Sequence, residues 1–147
     1  MLELTLQNVL VLLTIQFAVF GWRINREIVA GDQGRRTWFP VPDILNVVSM
    51  LVVLAMSVIV PLILQGKSSS NGFCYQLTAR AVFSAGFVLL VFHPIEMVAH
   101  YGLLNKNGRQ GFLKNDRDDY PYFPLQERVV VGIAIISALL VAVFVVQ

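Results

Sequence analysis

Cysteine is nearly missing from this chain: Cys74 is the only one in 147 residues. A lone thiol excludes an intrachain disulfide and any CxxC or multi-cysteine metal site. Charge is scarce too, at 14% of residues against 56% hydrophobic. With a mean hydropathy of +0.70, too little polar surface is left for an ordinary soluble domain. The net charge is only +2, and the basic residues are spread over short loops. Without a basic, aromatic-laced surface, nucleic-acid binding is not expected.

Long apolar runs are what the chain has instead. Four segments, at residues 4–22, 44–64, 80–100 and 129–146, approach the ~20 residues needed to cross a ~30 Å hydrocarbon core. A β-barrel would alternate apolar and polar residues. The sequence therefore predicts an all-α, polytopic membrane protein, a four-transmembrane-helix bundle forming one domain over 1–147. Glu3 precedes the first run, no Lys or Arg does, and no Ala-x-Ala-like site follows, so a retained helix is expected rather than a cleaved signal. Breakers separate the segments: Gly31-Asp32-Gln33-Gly34 and Pro40-Val41-Pro42, then Gly66 to Gly72, then Asn105 to Pro124.

Short loops rich in Lys and Arg stay cytoplasmic. Arg23, Arg26, Arg35 and Arg36 flank or occupy the first loop, and Lys106, Arg109, Lys114, Arg117 and Arg128 the third; the second has Lys67 and Arg80 alone. Nine of the eleven basic residues thus fall on one side, which predicts both termini on the non-cytoplasmic side.

Ionisable groups are costly inside a bilayer, and the third segment contains three beyond Arg80 at its start. His93, Glu96 and His100 fall within a stripe roughly 60° wide on one helical face. Counted from Arg80 at 1.5 Å per residue, they lie ~20, ~24 and ~30 Å down the helix. Asn46 and Ser49 sit in the same third of the second segment, so polar groups from several helices converge on one leaflet, where each must find partners. Gln7, Asn8 and Gln16 in the first segment are assigned to separate helix contacts.

Three readings of the stripe are open. Metal or haem ligation would use Glu96 with His100, or His93 with Glu96, plus donors from Asp43, Asn46, Glu27 or Glu127; the two histidines lie ~10 Å apart along one helix, too far to share an ion unless Pro94 distorts it. No metal site is assigned, and no cofactor is named. Acid/base or proton-relay chemistry would use Glu96 with the histidines. The structural alternative pairs Glu96 with Arg23, Arg26, Arg128 or His100 and fastens the bundle or a partner subunit.

Weaker features complete the pattern. Asp116-Arg117-Asp118-Asp119 reads as a solvated loop, since it lacks the glycine and spacing of a calcium loop. Tyr120, Tyr122 and Phe123, like Trp22 and Trp38, suit interfacial anchoring. Gly86, one heptad before His93, and Gly132 would permit close helix approach, and Pro61 a kink.

This gross layout, four spans in about 150 residues with two basic cytoplasmic loops, is similar to the MAPEG family of membrane glutathione and eicosanoid proteins. The resemblance covers topology. Where that family carries an arginine and an Asn-x-x-Glu-like cluster on its second helix, this chain has Asp43, Asn46 and Ser49, so no site residues follow from it. It implies a small membrane enzyme acting on a lipophilic substrate near the cytoplasmic leaflet. The leading expectation is a non-catalytic subunit or small-ligand-binding component of a membrane complex, with the bilayer and other subunits or further copies as partners. An oligomeric proton or ion pathway is the third.

Overall fold

The computed structural model describes residues 5–32, 40–64, 72–101, 103–104 and 124–147. Trp38, the run from Asp116 to Asp119, and Tyr120, Tyr122 and Phe123 lie outside them. All regular elements among the described residues are helical: α1 (Leu6–Asp32), α2 (Val41–Leu54), a π-helical turn (Ala55–Ile59), α3 (Val60–Leu64), α4 (Gly72–His100) and α5 (Pro124–Val146). Four spans are long and apolar enough to cross a membrane: Leu6–Val29, Val41–Ile63, Tyr75–His100 and Leu125–Val146.

The helices overrun the apolar segments at their polar ends. Helix α1 continues ten residues past Trp22 to Asp32, because hydropathy drops at Arg23 but no breaker occurs before Gly31. Helix α2 starts at Val41 rather than Ile44. Pro40, with φ −70° and ψ 159°, is its N-cap, and its carbonyl accepts from the Asp43 and Ile44 N–H groups at 3.1 and 3.2 Å. Proline in a first helical turn forfeits only an N–H that has no partner there, so Pro42 and Pro124 begin helices instead of excluding them.

Packing follows chain order: α1 lies on α2, α2 on α4, and α4 most extensively on α5. Between α1 and α2 the core is Val9, Leu12, Leu13, Met50 and Val53, with Val82, Phe83 and Leu90 of α4 against it. Close approach of α2 and α4 depends on Gly86. A Cβ there would stand 2.8 Å from Val53 Cγ2 and 3.0 Å from Ser49 Oγ, so only hydrogen fits. Gly132 departs from the same expectation, since nothing lies within 4 Å of where its Cβ would be. On α5 the small side chains of Ala134 and Ala138 are buried instead, which lets the backbones meet.

Pro61 does more than kink its helix. Its ring clashes with the carbonyl four residues back and it has no N–H. The helix widens into the π turn, where the Val60 N–H donates to the Ala55 carbonyl. That diverts the usual donor to the Met56 carbonyl, and the next donor in π register would be residue 61, which has none. The Tyr75 hydroxyl of α4 donates to the Met56 carbonyl, tying α4 to the break.

Candidate functional site

The first turn of α2 and the last turns of α4 meet the C-terminal half of α1 and the start of α5, and nine polar side chains are buried between Gln16 and Glu127 in sequence. Asp43 is at the centre. Its Oδ2 accepts from Arg23 Nε at 2.7 Å, and its Oδ1 lies 3.5 Å from His93 Nε2. Arg23, only 2% exposed, spends its other nitrogens on the Tyr101 hydroxyl at 3.1 Å and Glu27 Oε1 at 3.2 Å, one turn along α1. A guanidinium fork so divided is held rigidly by two carboxylate acceptors and one neutral hydroxyl.

A second pair lies two turns down α4 from His93. His100 Nδ1 is 3.1 Å from Glu127 Oε2, and Glu127 Oε1 accepts from the Val41 N–H at 3.2 Å. This backbone donor belongs to the first turn of α2, where helical N–H groups lack internal partners and favour negative charge. Glu127 thus joins three helix ends. Tyr101 meets His100 edge-on, with centroids 5.2 Å apart, and the Arg26 guanidinium lies 4.5 Å from the Tyr101 ring centre.

Glu96 sits between the pairs and departs from the expected pairing. It forms no ion pair among the described residues, because the cations assigned to it are engaged elsewhere: Arg23 by Asp43 and Glu27, His100 by Glu127. It is 1% exposed, its Oε1 has no hydrogen-bond partner, and Asp43 and Glu127 both lie within its electrostatic reach.

Asn46 and Ser49 are also buried, one to two turns up α2 from Asp43. They serve a connected layer. Gln16 Nε2 donates to Ser49 Oγ at 3.1 Å, and Asn46 Nδ2 donates to the Gln16 carbonyl at 3.3 Å. Gln16 therefore belongs with the polar group from which its sequence position had set it apart. Its neighbours Gln7 and Asn8 are exposed. Tyr101 was not singled out, having only its position just past the apolar run as a signal.

All five candidate residues, His93, Glu96, His100, Asn46 and Ser49, are thus buried at one end, but in two layers with different chemistry. The upper, Gln16–Asn46–Ser49, is neutral. The lower holds three buried carboxylates, Asp43, Glu96 and Glu127, two imidazoles and one buried guanidinium. No group of three or more potential ligands among the described residues is arranged to hold a metal ion. A groove of about 370 Å³, lined by Glu27, Asp32 and Asp43 among others, reaches the Arg23–Asp43 pair from outside.

The chain matches no protein family, no curated protein and no solved structure. The chemistry of the cluster rests on its own geometry.

Proposed function

We propose that this chain is a multi-pass membrane protein, a small non-catalytic component of a membrane complex, whose buried cluster binds and relays protons. The observation that carries this reading is Glu96: a buried carboxylate, without an ion-pair partner among the described residues, within electrostatic reach of two others, Asp43 and Glu127. Three buried carboxylates against one guanidinium would leave two negative charges in a low-dielectric end, and unpaired buried charge is expensive. Protons on the imidazoles or carboxyls remove that excess, and a proton needs no cavity. The order Asp43, His93, Glu96, His100, Glu127 supplies alternating acceptors between the acidic groove and the start of α5.

Helix burial supports insertion. In each candidate span at most 28% of the apolar window is buried inside the protein, leaving side chains such as Leu139, Leu140 and Phe144 outward for lipid or partner helices. The nine-to-two distribution of basic residues orients the cluster toward the cytoplasm. Cysteine labelling of intact cells should then reach Lys67→Cys and not Lys114→Cys; the reverse would overturn the orientation.

Infrared titration of the protein in lipid tests the proton. A carboxyl C=O band that appears and disappears with pH, and is lost in Glu96→Gln, is expected. Carboxylates that stay ionised across the titration would sink the proposal. A second reading, binding of a small cationic ligand, is favoured by the acidic groove beside Asp43, and would show as protection of the Arg23–Asp43 end by an organic ammonium ion.

A further inference from the structure

At the opposite end of the molecule, between the start of α1, the π turn with α3, and the start of α4, lies a cavity of about 590 Å³. Pockets for small ligands measure about 300–1,000 Å³. Its walls combine two chemistries. Leu6, Val9, Val58, Pro61 and Leu62 supply apolar surface, while Thr5, Ser57, Tyr75, Gln76 and Arg80 supply hydrogen-bonding groups and a cation. Leu6 and Leu62 are each 59% exposed, so the apolar surface continues onto the outer face of the helices.

Arg80 is the unusual element. It lies five residues inside the span Tyr75–His100, ~8 Å along the helix, and is half-buried. No ion pair involves it among the described residues, and the described acids, Glu27, Asp32, Asp43, Glu96 and Glu127, belong to the other end. Of the remaining sequence, residues 65–71 contain Lys67 and no acid, and Glu3 precedes α1. A guanidinium inside a span calls for a counter-ion, and its planar fork matches phosphate oxygens.

We infer that this cavity binds one anionic phospholipid, its phosphate on Arg80 and an acyl chain along Leu6, Val9, Pro61 and Leu62. Basic pockets between transmembrane helices on the cytoplasmic side hold lipid headgroups in this way, and by the orientation proposed above this one serves the opposite leaflet. The π turn belongs to the site: Ser57, within it, lines the cavity, and the Tyr75 bond to Met56 holds α4 beside it. The inference rests on the membrane insertion proposed above, and is independent of the proton-binding cluster.

The test is native mass spectrometry of the full chain in a neutral detergent, titrated with dioleoyl phosphatidylglycerol or dioleoyl phosphatidylcholine, after the chain has been located by carbonate extraction. One phosphatidylglycerol per chain is expected, with little phosphatidylcholine. Arg80→Gln should weaken binding about tenfold or more, the equivalent of ~1.4 kcal/mol, Arg80→Lys should retain most of it, and Arg128→Gln at the far end should change nothing. Equal binding of both lipids, a loss as large in Arg128→Gln, or displacement of the lipid by inorganic phosphate alone would overturn the site. A membrane-embedded chain that takes up no lipid refutes this inference only; a chain extracted by carbonate refutes insertion, and the inference with it.

Discussion

Replacing Asp43 by alanine strands two groups at once: Arg23 Nε, now 2.7 Å from Oδ2, and His93 Nε2, now 3.5 Å from Oδ1. Removing one partner of a buried ion pair costs about 3–5 kcal/mol. Arg23 retains Tyr101 and Glu27, which places the expected loss near the lower end, at about 3 kcal/mol. Glu96→Gln should behave oppositely despite equal burial. Its Oε1 gives up no hydrogen bond, and a protonated carboxyl and an amide are both neutral, so a change within about 1 kcal/mol of zero is expected. Arg23→Leu combined with Asp43→Leu should recover part of the Asp43→Ala loss, since the guanidinium is removed with its carboxylate; recovery stays partial because Glu27 loses Arg23 and His93 loses Asp43. Reversible unfolding in mixed micelles measures all three. An Asp43→Ala cost below about 1 kcal/mol, or an equal cost for Glu96→Gln, would refute the assignment of Asp43 as the anchor and Glu96 as the unpaired group.

Gly86→Ala should destabilise by about 1–3 kcal/mol, because the added methyl meets Val53 and Ser49, and a thermal melt in detergent against Gly132→Ala, whose site is open, separates packing from helix propensity. Gly132→Ala should be neutral or stabilising by up to about 1 kcal/mol; equal destabilisation by both would refute the close approach. Tyr75→Phe removes the donor to the Met56 carbonyl and should cost about 1–3 kcal/mol, whereas in the presence of Pro61→Ala, which restores an N–H to the helix, the same change should cost less. Glu127→Gln should weaken the start of α2, read as faster amide exchange at Val41 with little change in the middle of α2; unaltered exchange would refute the cap.

Which parts of this were legible beforehand follows from where the physics is local. Apolar length marks the four spans, because a helix crossing lipid must be apolar wherever it faces lipid. It misplaces their ends: Arg23 and Tyr75 extend helices without extending the apolar run. The stripe of His93, Glu96 and His100 was readable from helical spacing alone, as was the role of Gly86 on the same face. Partner choice was not. Spacing along α4 suggests that Glu96 and His100 meet, yet His100 turns to Glu127 and His93 to Asp43, since side chains from facing helices set these contacts. Gln16 shows the same limit. Its place on α1 says only that it points away from Gln7, and the packing of α1 on α2 turns that direction into a bond with Ser49.

The Glu127 carboxylate reaches an N–H that was synthesised 86 residues earlier and a histidine made 27 residues earlier. During biogenesis, α1 to α4 therefore wait for α5 before the start of α2 gains its cap and His100 its partner. Until α5 arrives, a nascent chain carries an open polar end. Docking of this helix and concealment of Glu127 and His100 are one event.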